Sequence, residues 1–397
     1  MITLDRNQDC CGCSACMSVC PQHCITLHED REGFLYPIVD IDACTNCNAC
    51  IKVCPVINIE EQMLTSFSSS TKAYAAAVTD KEILLKSSSG GLFSAIAGSI
   101  INEGGVVYGA AWVNDIVQHI AVQTHSDLAI LRGSKYVQSS LGNSFLEIKA
   151  YLISGRKVLF SGTPCQIAGL RTFLRKEYEN LLNVEIACHG VPSPKVLQKY
   201  ILILRDLYGH DVQINFRSKR DGWQQYKVTA FTGDEHYFYE SQQENVFMKG
   251  FLRELYSRPI CHECPFKTGI SGADITLADF WGIDDVKPRF PSYNGVSLVL
   301  THSPIAEFVI NSLEGVLKIE VELQNALRQN SSLLHSEEPH PERTYFFKHI
   351  DDKPLVPLIN ECLKLRRITR LKLRFKSYLR KFSINLAMLI KLLTPSA

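Results

Sequence analysis

The chain has 397 residues, of which 46% are hydrophobic and 21% charged. That balance excludes a disordered or low-complexity chain and suffices for a small domain plus one larger core. No apolar run reaches the roughly 18 residues of a membrane-spanning helix, and Met1-Ile2-Thr3-Leu4-Asp5-Arg6 carries no charged-then-apolar leader pattern. The net charge of +1 hides an asymmetry. Ten of the 42 Lys/Arg and none of the 41 Asp/Glu fall between Leu363 and Ala397, so residues 1–362 carry a net of −9.

The first element holds eight of the fifteen cysteines. Cys10, Cys13, Cys16 and Cys20 precede Pro21, and Cys44, Cys47, Cys50 and Cys54 precede Pro55. Both read C-x2-C-x2-C-x3-C-P. In this spacing three thiolates wrap one 4Fe-4S cubane and the fourth Cys ligates the other. One cluster is expected on Cys10, Cys13, Cys16 and Cys54, the other on Cys44, Cys47, Cys50 and Cys20. Structural zinc would want two spaced pairs per ion, and a disulfide framework a small secreted domain. Cys11 and Cys24 fall outside the spacing and read as spare structural thiols. Ile25 to Val39 reads as a hairpin around Asp30-Arg31-Glu32-Gly33. The result is an α+β ferredoxin-like module over 1–58. A Ser-rich polar linker follows over 59–72.

From Ala73 the pattern becomes α/β, with short β-branched runs alternating with helical ones. Strands are expected at Ala73–Val78, Val106–Trp112, Lys157–Phe160, Val184–Ala187 and Ile275–Ala278. Helices follow at Gly91–Asn102, after Cys165 to about Lys176, and after Ser193, with Pro194 at the first helical position. Cys165 and Cys188 each sit just past a strand's C-terminal end, where parallel sheets bind ligands. Cys261 and Cys264, in Cys261-His262-Glu263-Cys264-Pro265, complete a four-thiolate set. By spacing alone these are either ligands of a third cluster, or two buried structural cysteines beside a Cys pair that binds zinc or nothing.

The turns Ser87-Ser88-Ser89-Gly90-Gly91 and Ser161-Gly162-Thr163-Pro164 open helices. Backbone N–H groups at such helix starts suit a phosphate, and two of them suit a dinucleotide, although neither is a G-x-G-x-x-G fingerprint. A flavin is the natural partner of one-electron clusters, because it converts single electrons into hydride equivalents.

The ordered motifs Ser88-Ser89-Gly90-Gly91, Lys135-Tyr136-Val137-Gln138-Ser139, Gly162-Thr163-Pro164-Cys165-Gln166, Cys188-His189-Gly190-Val191-Pro192 and Ala273 to Gly282 (ADITLADFWG) resemble those of the coenzyme F-420 hydrogenase/dehydrogenase beta-subunit family. The resemblance covers roughly residues 1–300. It implies an iron–sulfur flavoprotein with an FAD-binding domain over 73–345, and a third 4Fe-4S cluster on Cys165, Cys188, Cys261 and Cys264. It implies that Ser89, Gly90, Gly91, Lys135, Thr163 and Gln166 line the FAD site. Bacterial chains of this layout also occur among cell-surface polysaccharide genes. Arg217 and Lys219, in a familial Phe216–Trp223 stretch, read either as phosphate contacts or as a solvated basic turn. His189 and His262 neighbour cluster cysteines, and no catalytic acid or base is assigned. Asp274 and Asp279 read as loop-fixing carboxylates.

The tail, 346–397, carries apolar residues from Ile368 to Leu393 every three to four positions among Arg and Lys. It reads as a basic amphipathic helix that lies on a membrane surface or docks on protein. The expectation is an oxidoreductase of the reducing cytoplasm, peripheral to the inner membrane face if the tail binds lipid. Its electrons come from a ferredoxin or other donor and collect on FAD for an unidentified organic substrate. The alternatives are a deazaflavin oxidoreductase subunit and a non-catalytic electron-transfer adaptor. No nucleic acid is expected.

Overall fold

The computed structural model describes residues 1–4, 6, 9–59, 67 and 70–364. The amphipathic pattern from Ile368 onward, and most of the 59–72 linker, lie outside the described residues. The N-terminal module pairs β1 (Ile25–Glu29) with β2 (Leu35–Val39) as an antiparallel hairpin. Its turn closes because the Asp30 carboxylate accepts the N–H groups of Glu32 and Phe34, while Gly33 takes φ +89°.

The module is not a loosely tethered bead. Phe34 is fully buried, and a Cβ on Gly33 would come within 2.4 Å of Lys195 Cβ. The hairpin tip therefore lies directly on the start of the helix Pro194–Tyr208. Arg343 grips the Glu32 carboxylate with both guanidinium nitrogens, one at 3.1 Å.

The body is built on eight strands: β3 (Lys72–Val78), β4 (Val106–Val113), β5 (Ile116–Val122), β6 (Val158–Gly162), β7 (Leu181–Ile186), β11 (Ile275–Asp279), β12 (Ser297–Thr301) and β13 (Val316–Val321). They run in the order β13-β3-β12-β11-β7-β6-β4-β5. The β4, β6, β7 and β11 neighbours pair in parallel; β5, β12, β3 and β13 join antiparallel. The sheet is thus mixed, with a parallel centre of the α/β kind. Alternation along the central strands feeds two cores. Val106, Tyr108, Val158 and Phe160 face one side, and Val107, Leu159, Leu182 and Val184 the other. The first of these cores also takes in Cys11, Cys13, Ala15 and Val53 of the N-terminal module.

A second antiparallel sheet, absent from the expectations, joins β8 (Gln213–Ser218), β9 (Lys227–Thr232) and β10 (Glu235–Ser241) in the order β10-β9-β8. The helices Arg343–His349 and Leu355–Leu363 pack with it, burying Phe346, Phe347, Leu358 and Ile359. The folded body therefore continues past residue 345 to at least 364. Among the described residues no helix is long and apolar enough to cross a membrane.

Candidate functional site

The doubled cysteine motif is also doubled in backbone conformation. Ser14 (φ 61°) and Asn48 (φ 59°) are left-handed just before Ala15–Val19 and Ala49–Lys52, and each sits two residues before the third Cys of its copy. Cys16 is buried, and desolvation pushes its thiol up to about 12. Cys10 and Cys54 are the thiols that press on it most, and Cys54 in turn feels Cys10. Cys13 feels Cys16 and Cys54. Thiols from both copies thus converge. Cys20, Cys44, Cys47 and Cys50 line a second cavity. Cys24 belongs there too, its sulfur 3.4 Å from that of Cys20. The N–H of Ile2 donates to Cys50 Sγ at 3.2 Å, and that of Gly12 to Cys10 Sγ at 3.4 Å.

The other four cysteines come together as well. β6 and β7 are parallel neighbours, so Cys165, in the first turn of the helix Pro164–Leu174, and Cys188, just past β7, open onto one crevice. The short 3-10 turn Pro259–Glu263 brings in Cys261 and Cys264. All four line a single cavity, and Cys11 lines it with them. Burial pushes the thiols of Cys188 and Cys264 up to about 12 and about 11. A cation bound there would have to displace the thiol protons. Among the described residues no three His, Cys, Asp or Glu side chains converge on a single ion-sized point. The thiols ring cavities instead.

Sequence reading missed four residues here. Cys11, read as a spare structural thiol, lies beside Cys13 and Cys165, and so between the two thiol sets. Lys267 donates to the carbonyls of Cys188 (2.7 Å) and Ser332 (2.6 Å), fixing the Cys188 loop. Glu254, buried and left-handed (φ 57°), sets one carboxylate oxygen 2.6 Å from His189 Nε2 and the other 3.6 Å from His262 Nδ1. Arg258 is fully buried beside Cys10. None carries a local sequence signal, because each contact joins distant segments.

The six residues expected at a flavin lie along the same edge of the sheet, and their polar groups are engaged within the protein. Ser89 Oγ donates to the Val296 carbonyl, and the Gly90 N–H donates to Ser297 Oγ. A Cβ on Gly90 would stand 2.3 Å from the Ala76 oxygen, so this glycine serves close packing against β3 and β12. Gly91, at φ +82°, caps the helix Leu92–Asn102. The Lys135 ammonium donates to the carbonyls of Ile130, Leu131 and Arg132. Thr163 and Gln166 form a capping box, and Gln166 also donates to Ser139. Thr163 Oγ1 lies 3.2 Å from Cys165 Sγ. These side chains brace the edge of the sheet.

The expected basic turn at Arg217 and Lys219 is corrected. Both side chains are buried, not solvated. Arg217 makes two hydrogen bonds to Asp279 (2.8 and 3.0 Å), and Lys219 donates to the carbonyls of Leu84, Ser89 and Asn294. They lock the Ser88–Ser89 loop to β11. Asp274 accepts from the Asn183 N–H and from Ser303 Oγ, the loop-fixing role expected of it.

Comparison with known proteins matches this architecture at both ends. Residues 9–58 match the 4Fe-4S dicluster domain, and residues 155–325 match the family described as the C terminus of the coenzyme F420 hydrogenase/dehydrogenase beta subunit. Both matches support a likeness to the coenzyme F420 hydrogenase beta-subunit-like family. It is an iron–sulfur protein of electron transfer. No curated protein matches it. Among solved structures, a chain of the F420-reducing NiFe hydrogenase complex from Methanosarcina barkeri aligns at 18% identity with a TM-score of 0.43, covering 74% of this chain and 89% of that one.

Proposed function

We propose that this beta-subunit-like chain is an oxidoreductase subunit that carries electrons inward through three 4Fe-4S clusters. Cys47 is exposed and Cys44 half-buried, so the set Cys20, Cys44, Cys47 and Cys50 faces solvent and is the entry point. The set Cys10, Cys13, Cys16 and Cys54 lies behind it. Cys165, Cys188, Cys261 and Cys264 hold the third cluster at the C-terminal edge of the parallel strands.

One observation carries this reading. Cys13 packs on Gly169, one turn along the helix from Cys165, so one short helix forms a wall of both the middle and the third site. When bound, the clusters supply one-electron chemistry. The chain's own residues set the order of the sites, exclude water from the middle one, and anchor the Cys188 loop through Lys267. The test is Cys188→Ser in the anaerobically purified chain. Iron should fall by about four per chain while about eight remain. An unchanged iron content would overturn the third ligand set.

A second reading adds a bound FAD and reduction of an organic substrate, in cell-surface polysaccharide synthesis or elsewhere. It is supported by the meeting of the 88–91, 134–139 and 163–166 segments at one edge, through Ser134 to Ser88 and Gln166 to Ser139. The family's name equally favours exchange of electrons with a deazaflavin, and an adaptor role for a partner enzyme needs only the clusters. Bleaching of the visible spectrum by reduced deazaflavin, with or without bound FAD, separates the three.

A further inference from the structure

We propose that Arg258 is a positioning residue whose buried charge raises the reduction potentials of the middle and third clusters together. This rests on the loading of those thiols proposed above. The side chain is fully buried, yet no carboxylate among the described residues pairs with it. Its nitrogens donate to the Cys10 carbonyl (2.8 Å), Gln138 Oε1 (2.7 Å) and the Leu35 carbonyl (2.9 Å), all neutral. Its flat face lies over Tyr36, 4.4 Å from the ring centre. Arg217, the other arginine buried among the described residues, behaves differently, since it has Asp279. A buried cation without a countercharge is costly. The groups around Arg258 able to carry negative charge are the sulfurs of Cys10, Cys11 and Cys261, from both thiol sets.

The cluster loop is shaped to admit it. Gly12, between Cys10 and Cys13, takes φ +73°, and a Cβ there would fall 2.9 Å from Arg258 Nη1 and 2.4 Å from Gln138 Nε2. The Arg258–Gln138 pair therefore lies directly against the ligand loop, where a side chain at 12 would displace it. A thiolate-ligated cluster gains one negative charge on reduction, and its potential follows net charge and hydrogen bonding nearby. A cation fixed between two clusters favours the reduced form of each. The surface cluster on Cys20, Cys44, Cys47 and Cys50 does not share this neighbour, so it is the internal reference.

The test is a redox titration of the full anaerobic holoprotein, followed by electron paramagnetic resonance, with R258Q and R258K. In R258Q the middle and third clusters should each become at least tenfold harder to reduce, a drop of about 59 mV for one electron, while the surface cluster is unchanged. R258K keeps the charge and should keep both potentials. The proposal is overturned if R258Q holds full iron with unmoved potentials, if all three clusters shift equally, or if R258K falls as far as R258Q. Should R258Q lose its clusters, R258K decides alone: retained potentials support the role of the charge, and a tenfold loss overturns it. Iron near eight in the wild type would remove the third cluster, and the shift would still be read at the middle one.

Discussion

Cys165 and Gly169 stand one helical turn apart on the same face of the helix Pro164–Leu174, and they serve different thiol sets. Cys165 lines the cavity with Cys188, Cys261 and Cys264. Gly169 leaves the space that Cys13 fills, since a Cβ on it would sit 2.7 Å from Cys13 Cβ and 2.9 Å from its sulfur. The distance between the two thiol sets is thereby fixed by helix geometry.

Gly169→Ala should therefore strike the middle cluster. The added methyl cannot fit without moving Cys13, and overpacking of this kind costs about 1–3 kcal/mol. Iron analysis should show a loss approaching four atoms per chain, with the spectral signature of the surface cluster retained. Full iron in G169A would mean that the ligand loop yields freely.

Much of the site was legible because its signals are local. The eight N-terminal cysteines announce themselves by spacing, and the strand ends that carry Cys165 and Cys188 by β-branched runs meeting a turn and a helix start. Cys11, Glu254 and Arg258 were not legible. Arg258 meets Cys10 across 248 positions, and no local pattern encodes such a contact. The antiparallel strands β12 and β13 were missed since antiparallel flanks on a parallel centre follow no βαβ rhythm. The helices over 343–363 were split between body and tail because the basic run beyond them dominated the reading. Their buried Phe346, Ile350, Leu355, Leu358 and Ile359 carried the contrary signal.

Chelation should remove the clusters in order. Cys47 is exposed, whereas Cys13, Cys16 and Cys54 are buried. A soluble iron chelator under anaerobic conditions should take about four irons first, together with the signature of the surface cluster. Loss of the middle cluster first would contradict the placing of Cys47 at the entry.

Acid should act through His119. It is buried, donates from Nε2 to the Ser161 carbonyl and accepts at Nδ1 from Ser139, whose oxygen accepts from Gln166. Desolvation lowers its pKa to about 4, against about 6.5 when unfolded. Between those values the unfolded chain binds the proton and the folded chain does not, so stability falls as pH drops from about 6.5 toward 4, by up to about 3 kcal/mol. Denaturant unfolding against pH should show a shallower acid slope in His119→Gln. Equal slopes would exclude His119 as the cause.

The Glu32–Arg343 pair should hold the hairpin tip to the body. Both side chains are only about 14% exposed, and Arg343 also donates to the Ser257 carbonyl. Arg343→Ala leaves the partly buried Glu32 carboxylate without this partner, a change worth about 1–3 kcal/mol. Unfolding by denaturant should show that loss, and the double variant with Glu32→Gln should recover part of it. No recovery would mean the arginine acts by packing alone.

The central claim is a third cluster within reach of the ferredoxin-like pair, and iron and acid-labile sulfide counted per chain after anaerobic purification test it most directly. About twelve of each is the expected result. About eight of each would leave Cys165, Cys188, Cys261 and Cys264 as structural thiols, and the electron path would end at the middle cluster.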